Sequence, residues 1–235
     1  MSFITISAPD NLDLWQYDGW SENDLGGIYF YNDHRSWTPW GNNRPNYGRN
    51  EVRQYIRDNA LLWLEEFHVD GLRFDSTLFI RNTKGLDNHT ETDLVEGWTL
   101  LQWVNDEIQH FFPGRLTIAE DLMQNPWLTK PTKDMGAGFS TQWDSAFVQP
   151  IRKCVIVAED GERSMDEVAH ALQFRYNEDA IQRVIYSESH DEVANGKARI
   201  PPGNQSGRHR GLPRAQAFDA GRRTRLDHTR NSHAF

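Results

Sequence analysis

The amino-acid sequence predicts an α/β protein built on a parallel sheet. Three observations lead to that class. Apolar residues recur at helical spacing in separate stretches. Strand-like runs of six or seven residues lie between them. Helix and strand then alternate along the chain.

Residues 1–49 are aromatic and turn-rich, with Gly, Asn, Asp and Pro in "WQYDGW", "GGIYFYNDH" and "WTPWGNNRPNYG". From Asn50 the pattern changes. Val52, Tyr55, Ile56, Ala60, Trp63 and Phe67 recur at helical intervals behind a cap at Asn50, so a helix is expected over 51–67. "VDGLRFD" follows as a strand at 69–75. Trp98, Leu101, Val104, Ile108 and Phe111 mark a second helix, stopped by Pro113-Gly114. "RLTIAED" gives a strand at 115–120, and "GFSTQWD" suggests another at 138–144. Ser164 and Glu167 form a capping-box signature for a helix over 165–174. "RVIYSES" gives the last strand, at 183–188, and "HDE" follows it.

Composition narrows the function classes. The chain has 235 residues, 37% of them hydrophobic, and no apolar run approaches the ~20 residues of a membrane-spanning helix. "MSFITISAPDNLDLW" lacks the basic-then-apolar pattern of a secretory signal. Cys154 is the one cysteine, so no internal disulfide forms. These features favour a cytoplasmic protein. The net charge of −9 hides an asymmetry, because residues 201–235 carry seven Arg, no Lys and a net of +5. All nine Trp lie at or before Trp143.

Charged residues collect at the strand ends. Alternation puts Val69, Gly71, Arg73 and Asp75 on one strand face, with Arg73 and Asp75 near the carboxyl end. In parallel α/β folds that end carries the ligand site. A guanidinium keeps a neighbouring carboxylate ionised, which a nucleophile requires. The competing reading is a structural ion pair. Leu116, Ile118 and Glu120 share a face of the next strand, again with the acid at the carboxyl end. A Glu against an apolar strand suits a general acid. An ordinary exposed strand-end Glu is the competing reading. His190 and Asp191 follow the last strand directly. A triad would want a G-x-S-x-G nucleophile turn, and zinc would want more His or Cys at short spacing; the sequence has neither. A substrate clamp and a plain loop pair remain. Taken together, paired carboxylates at successive strand ends are the machinery of glycoside cleavage.

"DGLRFD", "IAED" and "SHDEV" resemble three signature regions of the α-amylase superfamily of glycoside hydrolases and transferases. "SHDEVANGK" is more similar to the 1,4-α-glucan (glycogen) branching enzymes than to simple amylases. "TPWG" and the aromatic stretch before it also suit that group. The resemblance covers roughly residues 8–199. It implies catalytic roles for Asp75 as nucleophile, Glu120 as acid and base, and Asp191 in binding and distorting the sugar. It implies that Arg73 orients Asp75 and that His190 hydrogen-bonds the same sugar. Trp15, Trp20, Trp37 and Trp40 are then candidate stacking platforms for glucose rings, although buried packing is the commoner role of Trp. The implied partner is an α-glucan, with no cofactor, nucleic acid or membrane. The implied reaction is α-1,4 cleavage with α-1,6 branching. An α-amylase or trehalohydrolase type of hydrolysis, or a fragment that at most binds glucan, are the alternatives.

The superfamily fold is a (β/α)8 barrel of about 250 residues. The motifs present imply a fragment of it, roughly strand 4 to strand 7, over residues 1–200. The family's earlier signature, an Asp followed by an Asn-His pair, has no counterpart, since "YNDHR" at 31–35 differs in spacing. Residues 201–235 read as a basic, disordered tail. Arg clusters suit nucleic acid or membrane surfaces. The abrupt Lys-free, helix-less composition instead favours out-of-frame translation.

Overall fold

The computed structural model describes residues 3–4, 25, 27–157 and 159–191. Trp15, Trp20 and the basic stretch 201–235 lie outside the described residues. The chain divides into two compact units, Met1–Gln142 and Trp143–Phe235.

Parallel strands organise the first unit. They are β1 (Phe3–Ile4), β2 (Gly71–Phe74), β3 (Leu116–Ala119) and β4 (Thr141–Trp143), whose final residue opens the second unit. Phe3 pairs with Arg73, Phe74 with Ala119, and Ala119 with Gln142. The α/β class and the parallel direction match the sequence reading. That reading placed no strand ahead of residue 69, and β1 corrects it.

Two long helices cover the sheet. α1 (Asn50–Glu65) buries Val52, Ala60 and Leu64. Asn50 is the first helical residue rather than the cap; Arg49 holds that place without a side-chain bond. Tyr55 is 73% exposed and Phe67 59%, so the buried face is narrower than the apolar pattern suggested. α3 (Val95–Phe111) follows a short helix, α2 (Thr77–Arg81), and buries Leu100, Leu101, Val104 and Ile108. These side chains meet Leu72 and Phe74 of β2 and Ala119 of β3 in one core. Burying such aliphatic side chains contributes on the order of 1.5–3 kcal/mol each.

Glycine permits two of the closest approaches. A methyl at Gly71 would lie 2.6 Å from the Leu116 carbonyl oxygen, so the Asp-Gly of "VDGLRFD" lets β2 sit against β3. A methyl at Gly97 would lie 1.8 Å from the Ile80 carbonyl oxygen, where α3 meets α2.

The second unit has its own core of Phe147, Ile151, Ala171 and Ile185. It contains α4 (Ser145–Ile156), α5 (Met165–Gln173) and β5 (Arg183–Val184). Asp144 caps α4 by accepting the Ala146 N–H at 2.9 Å, accepts the Tyr176 hydroxyl at 3.1 Å, and pairs with Arg183. α5 begins as its capping box predicts, with Ser164 accepting the Glu167 N–H at 3.2 Å. β5 is shorter than the predicted 183–188. Ile185 and Tyr186 are buried all the same, so burial rather than strand pairing explains their apolar signal. Among the described residues, no helix is long and apolar enough to cross a membrane.

Gly97→Ala is expected to destabilise the protein by about 1–3 kcal/mol in urea unfolding. Gly161→Ala, with nothing within 4 Å of the added carbon, should have little effect. Alkaline stability offers a second check. Burial, with the charge of Glu96 adding to it, pushes Tyr31 from 10.0 up to about 12. Burial also pushes Tyr47 upward. Raised folded values mean that stability is intact below the unfolded phenol's pKa of 10.0 and is lost as pH rises through the folded value. Unfolding midpoints should therefore fall steeply above pH 10, by up to roughly 3 kcal/mol for Tyr31. Tyr31→Phe should flatten that decline.

Candidate active site

The register of β2 and β3 builds the site. Phe74 and Ala119 are opposite each other, so Asp75 and Glu120 are the next residues past the carboxyl ends of adjacent strands. The Glu120 N–H donates to the Phe74 carbonyl at 3.0 Å, which locks this alignment. Arg73 points between the two acids and is 1% exposed. Its Nη1 donates to Asp75 Oδ1 at 2.6 Å, and its Nη2 lies 3.7 Å from Glu120 Oε2. One buried guanidinium thus holds both carboxylates, which are 32% and 12% exposed. A buried cation is tolerated when acids compensate it in this way.

The turn after β2 adds a further donor. Ser76 has φ 45° and ψ 51°, in the left-handed region that a side chain disfavours. That conformation aims the Ser76 N–H at Glu120 Oε2. Backbone strain of this kind tends to collect at functional sites. The next N–H, of Thr77, donates to the Glu120 carbonyl at 2.8 Å.

α2 starts at this turn, and its far end carries Arg81. The Arg81 guanidinium grips Asp121 through Nε–Oδ2 at 2.8 Å and Nη2–Oδ1 at 2.9 Å, and meets Asp87 Oδ1 at 2.8 Å. Burial works to lower its pKa, but the hydrogen bonds and charges of Asp121 and Asp87 outweigh it and leave the group above its ordinary value.

An aromatic surface stands over α2. Trp37 and Trp40 are each 47% exposed. Their rings meet Phe79 of α2 edge-on, at 6.4 and 5.3 Å between centroids. Arg44 underpins them. It is fully buried and donates to the carbonyls of Arg35 at 2.7 Å, Trp37 at 2.5 Å, Asn82 at 3.1 Å, Thr83 at 2.8 Å, and Phe79. Burial pulls its pKa down. The sequence reading missed Arg44, Arg81 and Asp121. The only trace of them was a charged residue inside an otherwise turn-like or strand-end run.

His190 and Asp191 belong to the second unit. His190 Nε2 lies 3.3 Å from Asp191 Oδ2, and both side chains are largely exposed. The His190 ring is 6.4 Å from that of Trp143, which also contacts Tyr186 at 4.9 Å. The structure therefore brings Arg73, Asp75 and Glu120 together in the first unit, and joins His190 to Asp191 in the second.

No family model matches the chain. Curated proteins do. The 1,4-alpha-glucan branching enzyme of Corynebacterium efficiens is 33% identical over 198 residues, covering 78% of this chain and 26% of that protein. The branching enzyme of Corynebacterium jeikeium is 33% identical over 206 residues, covering 80% and 28%. That of Methylococcus capsulatus is 33% identical over 172 residues, covering 68% and 22%. Over about two thirds to four fifths of its own length the chain is similar to the 1,4-alpha-glucan branching enzymes. It spans about a quarter of the length of the branching enzymes it matches.

The motif "DGLRFD" supplies both the close approach at Gly71 and the Arg73–Asp75 pair. Arg44 offers the clearest test of how the aromatic surface is held. Lysine has three donors against the five of arginine. Arg44→Lys should cost about 2–4 kcal/mol in chemical unfolding and redden the tryptophan emission as Trp37 loosens.

Proposed function

We propose that the chain carries the glucan-cleaving centre of a retaining glycosyl transferase of the branching-enzyme type. The observation that carries the reading is the single Arg73 guanidinium shared by Asp75 and Glu120. A retaining mechanism needs two carboxyl groups about 5–5.5 Å apart, and a shared cation favours that closeness.

In this reading Asp75 attacks the anomeric carbon of an α-1,4-linked glucose. Arg73 engages Oδ1, so Oδ2 makes the new bond. As the glycosidic bond breaks, Glu120 gives its proton to the departing oxygen. In the second half, Glu120 takes a proton from an acceptor hydroxyl, and that oxygen displaces Asp75 from the sugar. The 6-hydroxyl of another glucan as acceptor gives an α-1,6 branch, and water gives hydrolysis. Trp40, with Trp37, would stack on glucose rings, because exposed indole faces suit sugar rings. His190 and Asp191 are assigned to sugar binding by the family resemblance. Residues 1–200 form the catalytic part and 201–235 a basic tail. A cytoplasmic setting fits the single cysteine.

The test is incubation of the chain with amylose, followed by iodine staining, branch-point analysis and reducing-sugar assay. Loss of staining with new branch points and few new reducing ends is the expected result. Reducing ends without branch points would mark a hydrolase instead. Glucan binding without turnover would leave only a binding role. Asp75→Asn and Glu120→Gln should each lower turnover by roughly a hundredfold or more. Trp40→Ala should weaken amylose binding roughly three- to tenfold. Full activity in Asp75→Asn would refute the reading.

A further inference from the structure

We propose that Arg81 and Asp121 are a positioning pair that fixes where Glu120 presents its carboxyl group. The inference rests on the acid–base role given to Glu120 above.

Asp121 follows Glu120 directly in the chain, and its side chain is 0% exposed. A carboxylate buried so completely is retained at a cost unless it is paired. The Arg81 fork meets both of its oxygens, at 2.8 and 2.9 Å. Two-point pairing of this kind fixes direction as well as distance. Arg81 is the last residue of α2, and Thr77 is the first. Thr77 reaches the same stretch of chain from the other end of the helix. Its N–H donates to the Glu120 carbonyl at 2.8 Å, its hydroxyl reaches that oxygen at 3.2 Å, and the hydroxyl also lies 3.3 Å from Asp121 Oδ2. The Glu120 N–H is held by Phe74. The main chain of Glu120 is therefore pinned ahead by β2 and behind by the first residue of α2, while the last residue of α2 grips the side chain of the next residue, Asp121. The Ser76 N–H that meets Glu120 Oε2 lies in the turn leading into α2. If the Arg81–Asp121 grip goes, α2 keeps its Arg44 anchor on the loop side but loses the tie of its far end to the sheet, and the Ser76–Glu120 contact is loosened. A displacement of about 1 Å at a reacting group can cost a hundredfold in rate. Local stability alone would not require the pair to lie beside the acid, or the helix it anchors to begin at that acid.

The experiment compares the wild-type chain with Asp121→Asn, Arg81→Lys and the double variant Arg81→Met/Asp121→Leu. The double variant replaces the Arg81–Asp121 pair with apolar groups of similar size, an exchange that tends to preserve folding; Asp87 loses the guanidinium as well but keeps the Asn125 amide at 3.1 Å. The first readout is the Ser76 amide signal in a proton–nitrogen spectrum followed across acidic pH. In the wild type this signal should move with the Glu120 titration, and Glu120→Gln should abolish the movement. In the double variant the movement should fall by roughly half or more. Arg81→Lys should retain part of it. The second readout is turnover on amylose. There kcat should fall about tenfold or more with KM changed less than about twofold, and the pH profile should be displaced. An unchanged Ser76 response, or a lower melting temperature with unchanged kcat and pH profile, would overturn the proposal. If the wild-type chain shows no turnover, the acid–base reading of Glu120 fails, while the Ser76 response still decides whether the pair positions it.

Discussion

A guanidinium taken out of water at the end of a strand is the constraint on which this site depends. Arg73 is 1% exposed, and its charge cannot be left uncompensated. The strand register brings Asp75 and Glu120 to it from neighbouring strands. Removing either acid would leave the cation less compensated, so the same electrostatics that stabilise the carboxyl end of the sheet also keep two carboxylates close together. Carboxylate placement and local stability are here one arrangement.

Two more arginines extend that logic in different chemical terms. Arg81 is balanced by formal charges, those of Asp121 and Asp87. Arg44 is balanced by dipoles, through carbonyls drawn from the loop at 35–37 and from the end of α2 and just beyond it. Helix carboxyl ends present carbonyls that lack intrahelical donors, and a buried cation satisfies several at once. α2 is only five residues long and would not persist by propensity alone. It persists because Arg44 holds its end from the loop side and Asp121 holds it from the sheet side. Phe79 on that helix then supports the Trp37 and Trp40 rings.

The sequence showed the long elements well, because burial leaves a period. α1 and α3 carry apolar residues at helical spacing, and β2 and β3 are each followed directly by an acid. The pairing of Arg73 with Asp75 was legible from alternation alone. The bond from the Ser76 N–H to Glu120 was not, since it lies in a turn with a left-handed backbone at a residue that is not glycine. α4 was overlooked because Pro150 sits inside it, a residue that ordinarily argues against a helix. α2 is too short for any period to show. Tyr55 and Phe67 misled in the opposite direction, as apolar residues in phase with the helix that stay largely exposed among the described residues. Arg44 and Arg81 left little sign of their roles, because Arg44 binds main-chain atoms of no particular residue type and Arg81 binds Asp121, 40 residues away.

The missing side chain at Gly97 also governs how this region can move. With its Cα resting against the carbonyl of Ile80, α2 is seated on α3 with no intervening layer. Helices in contact at that distance cannot slide past each other one side chain at a time, because no ridge is available to ride over. Breathing near Asp75 and Glu120 must then occur either as a rocking of α2 and α3 in concert or in the loops around them. On that basis the opening of the region to solvent, followed by amide exchange, should be slow and shared across both helices rather than local to one.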